Sequence, residues 1–261
     1  LSASFREEPR VTLYEHPFNE RIRTYLRLEH LFLRLDELLQ RETAIDHHFA
    51  LMTLFELLEV AARSDLRSDV QKDLDRKKSQ MEAYRGNPAI AQQVLESTVQ
   101  HLQATSQNFA RQDGKPGHEL LENDWLASVR NRASIPGGTC SFDLPAYHAW
   151  QHLPAATRRR QLQEWTVSFA SLAQAVTTLL QILRDTGAPR MMQAVGGQFR
   201  LNLPQGRPIQ LLRLRLDPAL AVVPEISGNR MLVSIRLLQH SADGKHALAP
   251  VDAAFELSLC S

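Results

Sequence analysis

Between Asn19 and about Thr186 apolar residues recur three and four apart in a background of Leu, Ala, Gln, Glu and Arg, whereas beyond Pro189 they alternate one with one. A repeat near 3.6 residues buries a stripe along a helix, and a repeat of two buries one face of a strand. The chain is therefore constrained to an α+β fold in which helices precede an antiparallel sheet.

About six helices are expected. Asn19 or Glu20 opens the first, Asp46 caps the second, and Ser64 or Asp65 begins the third. Gly86-Asn87-Pro88 and the DGKPG of 113–117 break the chain before the fourth and fifth helices, and a long sixth covers roughly 155–185, closed by Gly187 and Pro189. Alternation then marks strands over 212–216, 231–238 and 255–259, with Pro218, Pro224, Gly228, Asp243-Gly244 and Pro250 as turns. Three strands make a thin sheet, so the short strand signal at 11–17 is expected to join it. The resulting division is a loose extension over 1–10, a joining strand over 11–17, a helical domain over 18–188, and a smaller β domain over 189–261 that packs with it.

One segment breaks the helical texture. Ser134 to Pro154 reads SIPGGTCSFDLPAYHAWQHLP, with Gly137 and Gly138 expected in the left-handed region and Pro145 and Pro154 expected to stop incoming helices. By its residues this is a shaped loop, either a connector between layers or a built surface.

Formal net charge is +1, from 30 Lys and Arg against 29 Asp and Glu, and residues 191–261 hold seven basic against five acidic residues. No nucleic-acid surface is expected from this balance, so any basic surface must be local. On the first helix Arg23, Arg27, Arg34 and Arg41 project within about 40° at 100° per residue. Leu31 and Leu38 flank this strip on one edge and Leu26 and Leu33 on the other, so the helix is expected to be packed on most of its circumference. In the strands, Arg213 and Arg215 alternate with Leu212, Leu214 and Leu216, while Arg230 and Arg236 share a parity opposite Met231, Val233, Ile235 and Leu237. The sheet is expected to carry an arginine face. Solubility, helix ion pairs and edge protection explain such arginines as well as ligand binding does.

Four phrases, in order, resemble the ZapD family: EHPFNERIRTYLRLE at 15–29, the shaped loop, LLRLRL at 211–216, and PEISG at 224–228. The likeness runs from about Val11 onward. It implies a protein that binds the tubulin-like division protein FtsZ through that protein's C-terminal peptide. It further implies a homodimer that bundles FtsZ filaments, located in the cytoplasm and concentrated at the midcell division site. Arg23 and Arg27 fall inside a matching phrase and inherit the FtsZ contact, and His148 lies in the matched AYHAWQHLP. Arg213, Arg215, Arg230 and Arg236 are the candidates on the strands. Trp125 departs from the basic residue that relatives favour near this place. The rival binding reading is a helical scaffold for another acidic peptide.

Enzyme chemistry finds little support. His148 and His152 stand four apart, but no Glu completes HExxH and no third ligand is suggested nearby, so no metal and no cofactor are expected. GxGxxG, GxxxxGK[ST] and GxSxG are all missing from the chain. Cys140 and Cys260 are too few for a disulfide framework. No run of roughly 18 apolar residues marks a membrane span, so no membrane insertion is expected.

Overall fold

Helix starts are set by side chains that satisfy the free N–H groups of a first turn. Asn19 Oδ1 accepts from Ile22 N at 2.9 Å and opens α1 (Glu20–Gln40). Thr43, not Asp46, caps α2 (Ala44–Ala61): its Oγ1 accepts from Asp46 N at 3.1 Å while the same hydroxyl donates to the Asp46 carboxylate at 2.5 Å. The computed structural model describes residues 11–63, 65–112, 114–206, 208–240 and 243–261. The expected loose extension over 1–10, the Ser64 start and Asp113 lie outside the described residues.

The chain divides into two compact units, one of Thr24–Leu180 and one combining residues up to Arg23 with Gln181–Ser261. The helical unit continues from α2 through α3 (Leu66–Glu82), α4 (Gln92–Arg111), α5 (Asp124–Ala133), α6 (Pro145–Gln151), α7 (Ala155–Thr166) and most of α8 (Ala170–Asp185). Its interior holds Leu28, Leu51, Leu54, Leu74, Leu102, Phe109, Leu126 and Leu172. The buried Tyr25 hydroxyl donates to Asp73 Oδ2 at 3.0 Å, and Arg76 holds the other oxygen at 2.9 Å, so neither polar group is stranded. By length and composition, the helical stretch Ala155–Asp185 could cross a membrane, in contrast to the expectation of no such run. Half of its most apolar window is buried inside the fold, as befits a core helix.

Among the described residues the β unit contains eight strands where three plus the N-terminal strand were expected. One sheet has the order β1 (Thr12–Pro17), β4 (Leu211–Leu216), β8 (Ala253–Cys260), β2 (Arg190–Ala194), all antiparallel. The first strand thus enters the sheet, Tyr14 lying opposite Leu214. A second sheet joins β3 (Gln198–Asn202), β6 (Leu232–His240) and β5 (Val223–Gly228), with β7 (His246–Leu248) paired to β6. One apolar core takes Leu212, Leu214 and Leu216 from β4, Phe255 and Leu257 from β8, and Val233, Ile235 and Leu237 from β6. The alternation read from the sequence is this inward-facing set.

Candidate functional site

On α1 the buried residues are Ile22, Thr24, Tyr25, Leu28, Leu31, Leu35 and Leu39. The arginine strip borders this arc only at Leu31 and Leu38, because Leu33 on its other side is 66% exposed. The expectation of a helix packed round most of its circumference is therefore corrected: the strip lies at the rim of an open face. Its members divide by partner. Arg34 bonds Glu56 of α2, and Arg41 bonds Glu37 and Asp46, tying α1 to the start of α2. Arg23 pairs with Glu20 at 3.1 Å. Arg27 is exposed and its guanidinium has no partner among the described residues.

The strand arginines do not form one face. Arg213 and Arg215 belong to the first sheet and Arg236 to the second, and two sheets that share a core point their outer residues in opposite directions. Arg213 is engaged, donating to Glu15 Oε1 at 2.9 Å, while Arg184 of α8 grips Glu15 through both oxygens at 2.9 and 2.6 Å. The Glu15 side chain is only 15% exposed between these two guanidiniums. Arg215 pairs with Glu256 at 3.0 Å and Arg236 with Glu225 at 2.9 Å, both near the surface.

Arg230 departs from the expected parity because it precedes β6. Asn229 Oδ1 accepts from Met231 N at 2.8 Å and Leu232 N at 3.0 Å, curling the chain before the strand starts. Arg230 is exposed, has no side-chain partner among the described residues, and lines a cavity of about 750 Å³ with Phe18, Leu203, Pro204 and Ile209.

The shaped loop is ordered by turns: Gly138 N donates to Ile135 O at 2.9 Å, Cys140 N to Gly137 O at 3.1 Å, and Leu144 N to Cys140 O at 3.0 Å. Gly137 is left-handed (φ 70°) as expected, but Gly138 is not. Gly138 is required for a different reason, since a Cβ there would stand 2.5 Å from the Arg132 carbonyl oxygen. Pro145 begins a helix instead of stopping one, occupying the first turn of α6, where its missing N–H costs nothing. His148 is exposed and packs edge-on against His152, ring centroids 4.5 Å apart. Among the described residues no three His, Cys, Asp or Glu gather as a metal-ion cluster. Trp125 stacks on Trp165 at 5.4 Å and lies 5.5 Å from Trp150.

Two arginines that sequence reasoning passed over hold this region. Arg158 of α7 is 6% exposed and donates from Nε to His47 Nδ1 at 3.0 Å, from Nη2 to Glu42 O at 2.7 Å, and from Nη1 to Gln151 O at 3.0 Å and to Leu153 O. Arg159 donates to the Leu39 and Arg41 carbonyls at 2.7 and 3.1 Å, a cation closing the C-terminus of α1. The TRRRQ run was the available signal, but nothing in its spacing said which arginine points inward.

A guanidinium can only donate, so His47 Nδ1 must be the acceptor and Nε2 carries the proton, given to Arg41 O at 3.1 Å. Burial, then the charge of Arg158, holds the His47 imidazole below its ordinary value of 6.5, and burial does the same for His48. The His48 Nδ1 atom lies 2.6 Å from the Tyr147 hydroxyl. Burial pushes that phenol up to about 12, so it stays protonated and donates to His48 while accepting from Gln151 at 3.2 Å. His16 in the β unit is also lowered, by burial and then by Arg23. Each histidine is more readily protonated in the unfolded chain. Stability is accordingly full above about pH 6.5 and lost as the pH falls through the lower folded values. Urea midpoints at pH 7.5 and 5.5 should show the loss, each extra proton tilting stability by at most about 1.4 kcal/mol per pH unit. A midpoint that holds or rises on acidification contradicts the neutral assignments.

A family model described as ZapD, cell division protein, matches residues 26–236. The chain belongs to the ZapD family. The matched span is well over half of the chain and includes Arg27, His148, Arg213, Arg215, Arg230 and Arg236, whereas Arg23 lies just ahead of it.

Proposed function

We propose that this ZapD-family chain is a non-enzymatic division factor that binds the C-terminal peptide of FtsZ and, as a homodimer, cross-links filaments at the cytoplasmic midcell ring. The observation that carries the reading is the cell-division family match, whose span takes in candidate arginines of both units. The tail mixes carboxylates with apolar residues on a flexible tether. Arginine suits it, since the guanidinium forks onto carboxylates and lies flat on apolar surface. Arg27 and Arg230 are the best placed candidates, being exposed and without side-chain partners among the described residues. Arg23, Arg215 and Arg236 would exchange an existing surface partner, and Arg213 would have to leave Glu15. His148 adds a donor on the shaped loop.

Each contact is worth at most about 1 kcal/mol when exposed, so function rests on many tails per filament and two sites per dimer. The test is pelleting of polymerised FtsZ, comparing the intact protein with one lacking its C-terminal peptide, with electron microscopy of both. Bundles with intact FtsZ alone support partner and site together. Bundling of both moves the contact to the filament body, and binding to neither returns the chain to a scaffold for another acidic peptide. Bundling should also fade between about 50 and 300 mM salt as the screening length shortens, and a salt-independent yield argues against arginine-led contact.

A further inference from the structure

We infer that a polar cavity on the outer face of the first sheet, beside the end of α8, is a binding site for a phosphate group. The cavity measures about 320 Å³ and is lined by the last turn of α8, the chain just beyond it, and Arg213, Arg215, Glu256 and Ser258. All of its walls belong to the β unit.

Strand alternation builds the floor. With Leu212, Leu214 and Leu216 of β4 and Phe255 and Leu257 of β8 turned into the core, Arg213, Arg215, Glu256 and Ser258 face outward. The register sets Arg213 directly opposite Ser258 and Arg215 opposite Glu256. Gly187 runs close above them: a Cβ there would stand 3.3 Å from Ser258 Cβ and 2.6 Å from Cys260 Sγ, so only glycine lets the chain pass this near to β8. Ser258 is left 7% exposed. It lines the cavity, yet its hydroxyl has no partner among the described residues. Buried polar groups are rarely left so, and this one points to a partner that the fold does not itself supply.

The unspent donors select the occupant. Arg184 and Arg213 share one carboxylate, Glu15, so two cations meet one anion and a positive charge is left over there. Arg213 spends only Nε on Glu15, and its two Nη groups have no acceptor among the described residues. The carboxylates of the lining are engaged: Glu256 accepts from Arg215 at 3.0 Å, and the exposed Asp185 accepts from Gln181 at 3.3 Å. A cation entering the cavity would meet three guanidiniums, and an apolar group would find little beyond Pro189. An oxyanion finds the Nη fork of Arg213 and, directly across the ladder, the Ser258 hydroxyl. A carboxylate meets the fork with both its oxygens and has none to turn to Ser258, whereas a phosphate has a third.

The test is calorimetric titration of the full chain with inorganic phosphate, glycerol phosphate and acetate at constant ionic strength, with no FtsZ present. Both phosphates should saturate one site per chain, and acetate should bind about tenfold more weakly. Ser258→Ala deletes a hydroxyl that bonds nothing in the fold, so it should keep the wild-type thermal midpoint and weaken phosphate about tenfold. Arg213→Gln should abolish binding, with circular dichroism as a check because the change leaves Glu15 to Arg184 alone. Tighter binding of glycerol phosphate than of inorganic phosphate assigns the site to a phosphorylated molecule, and equal or weaker binding assigns it to the free ion. No saturable phosphate binding by the wild type, acetate as strong as phosphate, or full-strength binding by Ser258→Ala overturns the site.

Discussion

Replacing Arg158 with Met should lower the stability of the helical unit by about 3 kcal/mol or more, moving a thermal midpoint down by roughly 6 to 12 °C. The side chain is almost fully enclosed, and no carboxylate among the described residues pairs with it. Its charge is spread over the His47 ring nitrogen and the carbonyls of Glu42, Gln151 and Leu153. Methionine fills most of the volume but leaves four acceptors without their donor, and the carbonyls among them belong to two separate chain segments. Lysine keeps the charge with a smaller reach and cannot fork between those segments, so Arg158→Lys should recover only part of the loss. Arg159→Ala supplies the control. Its guanidinium is nearer the surface and serves one helix end, a contribution of about 1 kcal/mol. Urea unfolding followed by circular dichroism reads all three. An Arg158→Met variant within 1 kcal/mol of wild type would sink the clamp.

That clamp also shows where sequence reasoning stops. Periodicity made the α+β architecture legible, because the burial rule that shapes a stripe or a face acts on near neighbours along the chain. Asn19 was legible as a cap for the same reason. Thr43 was displaced by Asp46 because both belong to one reciprocal motif, and only geometry says which member sits outside the helix. The four further strands were missed where alternation is short, as in QFRLN, or where residues inside the strand read as turns, as Pro224 and Gly228 do in VPEISG.

Among candidate site residues, residue type was legible and engagement was not. Arg213 and Arg215 read alike in LLRLRL, yet one is held against Glu15, a partner 198 residues away, and the other lies at the surface beside Glu256. Arg230 was assigned a strand parity that the Asn229 turn cancels. Such long-range pairings depend on sheet order and register, which no local pattern encodes.

Reversing Arg27 to Glu should abolish filament bundling while leaving the fold unchanged. The position is exposed on α1 and its guanidinium has no partner among the described residues, so no internal contact is lost, and glutamate is as good a helix former as arginine. Stability should stay within about 0.5 kcal/mol of wild type. If Arg27 contacts the FtsZ tail as proposed, the change removes one charge-assisted contact and adds a repulsion of similar size, weakening each site about tenfold. In the proposed dimer, cross-linking requires both sites, so bridged filaments should fall by about the square, roughly a hundredfold, below detection in a pelleting assay that the wild type saturates. Arg213→Glu cannot make this distinction, since it sets a second carboxylate beside Glu15 and lowers stability for internal reasons. Bundling by Arg27→Glu at wild-type levels would remove Arg27 from the site. A collapse of helicity would show instead that the strip serves the fold.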